Sequence, residues 1–123
     1  ALSIAHDSHN IIVTGVSDEE MAFAVEKLKE QNGGIVLVKN GEVIASMPMP
    51  IAGPMSDPSG EWVKQKLIDI HDKAYSELGV AGDVEPVMTL CFMSLAVIPE
   101  IKLTDMGLFD VGTFSFIPVE CEA

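Results

Sequence analysis

The chain has 123 residues, of which 48% are apolar, and its 19 acidic and seven basic side chains, all of the latter lysine, give a formal net charge of −12. This length fits a single domain, residues 1–123, around one hydrophobic core. The charge excludes nucleic acid and anionic membrane surfaces as expected partners, because both are bound through Lys and Arg, and no apolar run approaches the roughly 20 residues of a membrane-spanning helix.

The apolar surplus can arise in two ways: from a well-filled core, or from a surface that packs against another domain or subunit. The two cysteines, Cys91 and Cys121, are isolated and lack the C-x-x-C spacing of zinc ligands or redox pairs. We therefore expect a reducing, cytoplasmic location, with no zinc site and no disulfide framework in this chain.

The first predicted unit is a strand followed by a helix. Ile11 to Val16 is a short, mostly β-branched apolar run, which is typical of a buried strand. Ser17 and Glu20 have the spacing of a capping box, so a helix should begin after Ser17. Apolar residues then recur at helical spacing up to Gly33-Gly34, where a left-handed backbone readily ends a helix.

A hairpin and a second helix are predicted next. Asn40-Gly41 lies between strands at 35–39 and 42–47, and this dipeptide favours the positive φ angles of a tight hairpin turn. Residues 48–58 hold four of the seven prolines, which indicates an irregular loop. Asp57-Pro58 has the pattern of an N-cap followed by proline at the first helical position.

The C-terminal third is harder to interpret. The second helix should end at Gly79. The apolar run 87–98 has little periodicity, so a strand and a buried helix both remain open. A short extended piece at 101–103, a turn at 104–107 and a final strand at 113–119 complete the chain. The order of elements predicts an α/β or α+β fold, with a small mixed sheet that contains a β-hairpin and about two main helices packed on it.

The densest group of chemically active side chains is His6-Asp7-Ser8-His9-Asn10. Two imidazoles and a carboxylate invite a metal or acid–base role. A metal site of its own is disfavoured, because an H-x-x-H pair outside a helix does not place both rings on one face and the sequence fixes no third ligand. The segment is then either a polar turn in which Asp7 and Asn10 bond local backbone groups, or the rim of an interface or active site.

Two further groups of residues are candidates for a functional role. His71 lies beside the apolar face of the second helix and is expected to be a boundary histidine. The seven methionines are best explained as adaptable packing. Met47, Met49 and Met55, in or beside the proline-rich loop, would also suit docking onto a partner.

Three stretches together carry a family resemblance: AHDSHNIIVTGVSDEEMAFAV (5–25), GGIVLVKNGEVIASMPMPIAGPMSD (33–57) and MTLCFMSLAVIPEIKLTDMGLFDV (88–111). They resemble the C-terminal domain of bacterial and archaeal adenine deaminases. The resemblance implies a parent enzyme of the amidohydrolase superfamily, which hydrolyses adenine to hypoxanthine and ammonia with divalent metal ions, manganese or iron, in a separate β/α barrel.

The catalytic barrel itself is not expected in this chain. The H-x-H pair of metal ligands typical of the superfamily is absent, and 123 residues are too few for a barrel of typically about 250. We therefore expect no catalytic residue, metal ligand or cofactor within these residues.

Three hypotheses of function follow from the resemblance. In the first, the domain packs on the catalytic barrel and completes or shields the active site, with His6, Asp7, Ser8 and His9 contacting substrate. In the second, it is a structural or regulatory domain that stabilises the enzyme or its homo-oligomer, with the proline- and methionine-rich loop as docking surface. In the third, it is a free-standing homologue that binds a purine or another small ligand.

Overall fold

The computed structural model describes residues 1–120, which form helices and antiparallel strands; Cys121 lies outside the described residues. The elements are α1 (Asp18–Glu30), β1 (Gly34–Lys39), β2 (Glu42–Pro48), α2 (Gly60–Ser76), α3 (Pro86–Phe92), β3 (Ile101–Thr104), β4 (Gly107–Asp110) and β5 (Ser115–Ile117). The strands form two antiparallel sheets, β1–β2 and β3–β4–β5. The predicted α/β or α+β class, with a hairpin and two main helices, is confirmed; the described strands lie in two antiparallel sheets and not in the single mixed sheet that was predicted.

Helix α1 begins where the sequence predicts. Ser17 is its N-cap, and the Ser17 Oγ accepts the backbone N–H of Glu20 at 3.4 Å. In a complete capping box the Glu20 carboxylate would accept the backbone N–H of Ser17. Here it accepts the N–H of Gly41 at 3.2 Å. Glu20 therefore ties the first turn of α1 to the turn of the hairpin.

The β1–β2 hairpin also follows its local signal. Asn40 and Gly41 have φ angles of 53° and 75°, as a tight two-residue turn requires. The strands pair antiparallel from Lys39 opposite Glu42 to Gly34 opposite Pro48, with one irregularity next to Leu37.

The hairpin lies between two helix layers. Opposed residues of an antiparallel pair share a face, so Ile35, Leu37, Ala45 and Met47 form one apolar surface that α2 covers. The buried core on this side consists of Leu2, Ile35, Leu37, Ala45, Met47, Met49, Ile70 and Ala74. Val36 is buried on the other face of β1, where α1 packs with its buried residues Ala24 and Leu28.

The strand predicted at Ile11–Val16 is wrong as an extended element. Leu2 lies between Ile35 and Ile12 and forms an antiparallel bridge with each. The Leu2 N–H donates to the Ile12 carbonyl at 2.8 Å and the Ile12 N–H returns to the Leu2 carbonyl at 2.9 Å. Among the described residues only Ile12 of this run is paired.

Helix α2 begins two residues later than predicted. Its N-cap is Ser59, whose Oγ accepts the N–H of Trp62 at 3.3 Å, so the assignment of Asp57-Pro58 as cap and first helical residue is wrong. Serine and aspartate are about equally good N-caps, so local sequence does not separate the two starts. The predicted end is confirmed, since Gly79 has a φ of 68° and the N–H of Val80 bonds the Ala74 carbonyl at 3.1 Å.

The ambiguous run 87–98 contains a helix. The signal for it precedes the run: Glu85 caps α3 by accepting the N–H of Met88, and Pro86 occupies its first turn. The extended piece at 101–103 and the turn after Thr104 are confirmed as β3 and its connection to β4, whereas the final strand is shorter than predicted. No helix in the described part of the chain combines the length and apolarity needed to cross a membrane.

Candidate functional site

The polar segment predicted as a candidate site is an exposed turn on a buried base. Ala5 is fully buried, whereas residues 6–10 are all exposed. The turn is closed by its own backbone, since the N–H of His9 donates to the Ala5 carbonyl at 2.8 Å and the N–H of Ser8 donates to the His6 carbonyl at 3.0 Å. Asp7 and His9 have positive φ angles of 72° and 48°, which non-glycine residues adopt mainly in turns.

Helix α3 anchors this turn through His6. The His6 imidazole stacks on the ring of Phe92 with centroids 4.6 Å apart and planes 22° apart. The His6 N–H also donates to the Cys91 carbonyl at 2.9 Å. The sequence does not predict this contact, because His6 and Phe92 lie far apart in the chain and the run that contains α3 is ambiguous.

The remaining side chains of the turn make few hydrogen bonds within the described residues. Ser8 Oγ accepts a long hydrogen bond of 3.4 Å from the Asn10 side chain. The prediction that Asp7 and Asn10 bond local backbone groups is wrong: within residues 1–120 neither side chain does so, and the side chains of Asp7 and His9 make no hydrogen bond. The turn thus holds its shape through backbone bonds and leaves donors and acceptors facing outward.

The donor groups of residues 1–120 do not form a site for a divalent metal ion. Within the described residues no three His, Cys, Asp or Glu side chains come close enough together to hold one. Structural and catalytic zinc sites need at least three protein ligands, so the turn alone does not supply a metal site.

A second polar contact joins α2 to α3. His71, at the boundary of the core as predicted, places Nδ1 2.6 Å from the Leu67 carbonyl and Nε2 against the Glu85 carboxylate. Both partners are acceptors, so the doubly protonated imidazolium suits the site. The hydrogen bond that His71 donates to the Glu85 carboxylate accordingly raises the pKa of His71 above its ordinary value. Because Glu85 also caps α3, His71 helps to fix the helix that carries Phe92.

This contact predicts a pH dependence of stability. The pKa of His71 is higher in the folded than in the unfolded state. The stabilisation that the His71–Glu85 contact provides is therefore fully present below the unfolded-state pKa of roughly 6.5, and it is lost as the pH rises through the folded-state pKa. For a partly exposed pair we expect a loss below about 1 kcal/mol. The difference in urea-unfolding midpoint between the unsubstituted chain and His71→Gln should therefore shrink as the pH rises from 6 to 8.5. Gln65→Ala, an exposed residue on the same helix that does not titrate, should give a difference that is independent of pH. A His71→Gln difference that does not change with pH would contradict the prediction.

The methionines next to the proline-rich loop do not form a shared docking surface. Met47 and Met49 are 0% and 8% exposed and belong to the core beneath α2, so the suggestion that they dock a partner is wrong; Met55 is 54% exposed. The alternation of β2 explains Met47, which lies opposite the buried Ile35.

A different apolar surface lies on the three-stranded sheet. Ile101 and Leu103 of β3 are 53% and 77% exposed, and the register places Leu108 and Ile117 on the same face. The other face carries Phe109, which packs edge-on against two phenylalanines of the β5 region at centroid distances of 5.2 and 5.4 Å. The sequence signal for this surface is the alternation of apolar and polar residues around Lys102. Lys102 is only 8% exposed and lies between two exposed apolar residues.

The fold and its surfaces define a small α/β domain that presents a preformed polar turn. The family model of the adenine deaminase C-terminal domain matches residues 1–115. The chain is 72% identical over 120 residues to adenine deaminase 2 of Desulfotalea psychrophila. It is 51% identical over 120 residues to the adenine deaminase of Bacillus subtilis, and both alignments cover 98% of the chain and 21% of the relative.

The chain therefore belongs to the family of adenine deaminase C-terminal domains, which confirms the resemblance carried by the three sequence stretches. It spans about a fifth of the length of the curated relatives it matches.

Proposed function

We propose that this chain is the C-terminal part of an adenine deaminase, and that it packs on the catalytic barrel, where the turn at His6–His9 completes or shields the active site. The whole enzyme would hydrolyse adenine to hypoxanthine and ammonia in the cytoplasm. The divalent ions, manganese or iron, would be held by the barrel. The relatives named above, which carry this activity in their names, support the proposal.

The proposed role of the turn is supported by two features: its backbone is ordered, and its polar side chains make few hydrogen bonds within the described residues. Its backbone is fixed by internal bonds and by the stacking of His6 on Phe92, so little conformational entropy remains to be lost on binding. Adenine offers ring nitrogens and an exocyclic amino group, and the imidazole of His9, the hydroxyl of Ser8 and the carboxylate of Asp7 provide matching donors and acceptors.

The test is His9→Ala in the full-length enzyme. Loss of a hydrogen bond of roughly 1.5 kcal/mol should lower kcat/KM for adenine about tenfold. Steady-state kinetics would measure the change, with Gln65→Ala, an exposed polar residue on α2, as the control that keeps full activity. Unchanged kcat and KM in His9→Ala would refute a contact between this residue and the substrate.

A stabilising or oligomer-forming role is the second candidate, and the exposed apolar face of Ile101 and Leu103 favours it. Deleting residues 1–123 from the full-length enzyme separates the two roles. If the remaining enzyme keeps its oligomeric state and melting temperature but loses turnover, the stabilising role is wrong. If it dissociates or melts at lower temperature, the apolar face is the part of the domain to be tested next by substitution.

A further inference from the structure

A cavity of about 370 Å³ lies beside the free edge of β1, in the plane of the hairpin. Both helix layers contribute to its walls. Its lining includes Met21 of α1, Ile70 and Ala74 of α2, Leu90 of α3, Val38 of β1 and Thr14. A gap between two helix layers at the edge of a sheet has the position that a further strand would occupy.

Backbone hydrogen bonds on one side of the gap define the register of such a strand. Val36 donates its N–H to the Ala1 carbonyl at 2.9 Å, and Ser3 donates to the Gly34 carbonyl at 3.0 Å. Hydrogen-bonded positions of an antiparallel ladder recur every second residue, so the N–H and C=O of Val38 point to the same edge. The pairing of Leu2 with Ile35 places the second residue ahead of Ala1 opposite Val38.

The other side of the gap gives a consistent register. Leu2 and Ile12 exchange both backbone hydrogen bonds, so extrapolation of this pair places the first residue ahead of Ala1 opposite Thr14 and the third opposite Val16. Thr14 lines the cavity, and the Val16 side chain is fully exposed. This is the run whose sequence predicts a buried strand, although within residues 1–120 only Ile12 of the run is paired.

We propose that the polypeptide immediately ahead of Ala1 in the full-length enzyme fills this gap as the middle strand of an antiparallel sheet, between β1 and residues 11–16. The inference rests on the proposed function, which gives the chain a preceding catalytic part; the relatives are roughly five times as long as the aligned segment. A tethered strand binds at an effective concentration in the millimolar range, which favours it over a second copy of the chain.

The strand would complete both the sheet and the core. An open strand edge offers unpaired N–H and C=O groups, which proteins ordinarily cover or pair. The first residue ahead of Ala1 shares the face of Leu2, which is buried against α2. That residue should therefore be apolar and should fill the cavity next to Ile70 and Ala74.

Amide hydrogen exchange of the full-length enzyme tests the pairing at single residues. We expect the amides of Thr14, Val16 and Val38 to exchange about 100-fold or more slowly than in an open edge. The amides of Val13 and Gly15 point away from the middle strand in this register, so they serve as internal controls and should exchange rapidly. Exchange of Thr14, Val16 and Val38 as fast as that of the two controls would overturn the proposal.

A disulfide cross-link tests the identity of the strand. Leu37 and the first residue ahead of Ala1 would form a non-hydrogen-bonded pair, with Cβ atoms about 4.5–5.5 Å apart, close to disulfide geometry. Leu37→Cys combined with cysteine at that preceding position should yield an intrachain cross-link, detected by peptide mass. Val38→Cys, which faces the opposite side, is the matched control and should not cross-link.

Three results would each overturn the proposal. They are an intermolecular cross-link, protection of the amides from exchange without a cross-link, and cross-linking at Val38→Cys in place of Leu37→Cys. The readouts do not depend on turnover. A cross-link together with full activity in His9→Ala would refute the role of the turn and support the strand, whereas loss of activity in His9→Ala without any cross-link would refute the strand alone.

Discussion

Gly34→Ala is expected to destabilise the chain by about 4 kcal/mol or more, which is a large fraction of the stability of a domain of this size. Gly34 has a φ of 108°, and a Cβ atom on it would lie 2.0 Å from the carbonyl oxygen of Met47 and 2.9 Å from the nitrogen of Met49. Both are backbone atoms. They can withdraw only by separating β1 from the end of β2, which would also disturb the hydrogen bond from Met49 to Gly33.

Urea unfolding followed by the fluorescence of Trp62, the single tryptophan, would measure this effect. Trp62 packs against the core beneath α2, so its emission reports on the layer that the substitution disrupts. Gly79→Ala is the matched control, because Gly79 also has a positive φ, 68°, but a Cβ there meets no atom within 4 Å. The control should lose only about 1–2 kcal/mol. Similar losses in both variants would show that backbone conformation, and not the close contact, sets the cost.

The elements that the sequence predicts well are those whose signals are local. The start of α1 depends on Ser17 and its next three residues, and the hairpin depends on Asn40-Gly41 and the strands on either side. Each of these units can form from residues that are adjacent in the chain. Their prediction therefore does not require knowledge of the tertiary structure.

The elements that the sequence predicts poorly depend on distant partners or on competing local signals. The run Ile11–Val16 has the composition of a strand, but strand formation requires a paired neighbour, and in the described part of the chain only Leu2 pairs with it. Strand β4 is four residues long and is stabilised between β3 and β5, so its own residues carry little signal. The predicted start of α2 is misplaced because Asp57 and Ser59 both make suitable caps.

The candidate site is predictable in part for the same reason. The polar composition of His6–His9 is visible in the sequence, and its exposure as a turn follows from it. The stacking of His6 on Phe92 and the bond between His71 and Glu85 are not visible, because each joins residues brought together by α3. Whether the turn contacts substrate stays a prediction, which His9→Ala tests.

Ile70→Ala should give the second large loss, about 2–5 kcal/mol. Ile70 is completely buried in α2, where it packs with the apolar face that Leu2 and Ile35 present. Truncation removes its packing atoms and leaves a void that the flanking strands cannot close. The midpoint of urea unfolding, again monitored through Trp62, would measure the loss.

The control for this substitution lies on the same helix. Ile68 is 44% exposed, so Ile68→Ala should change stability by about 1 kcal/mol or less, since much of its side chain is solvated in the folded state. The difference between the two variants reports which side of α2 faces the hairpin. Equal losses would contradict the layer arrangement in which Ile70 faces the core. A larger loss for Ile70→Ala in the full-length enzyme than in the isolated chain would be expected if the preceding strand packs on Ile70, because removing the side chain would then cost contacts on a further side.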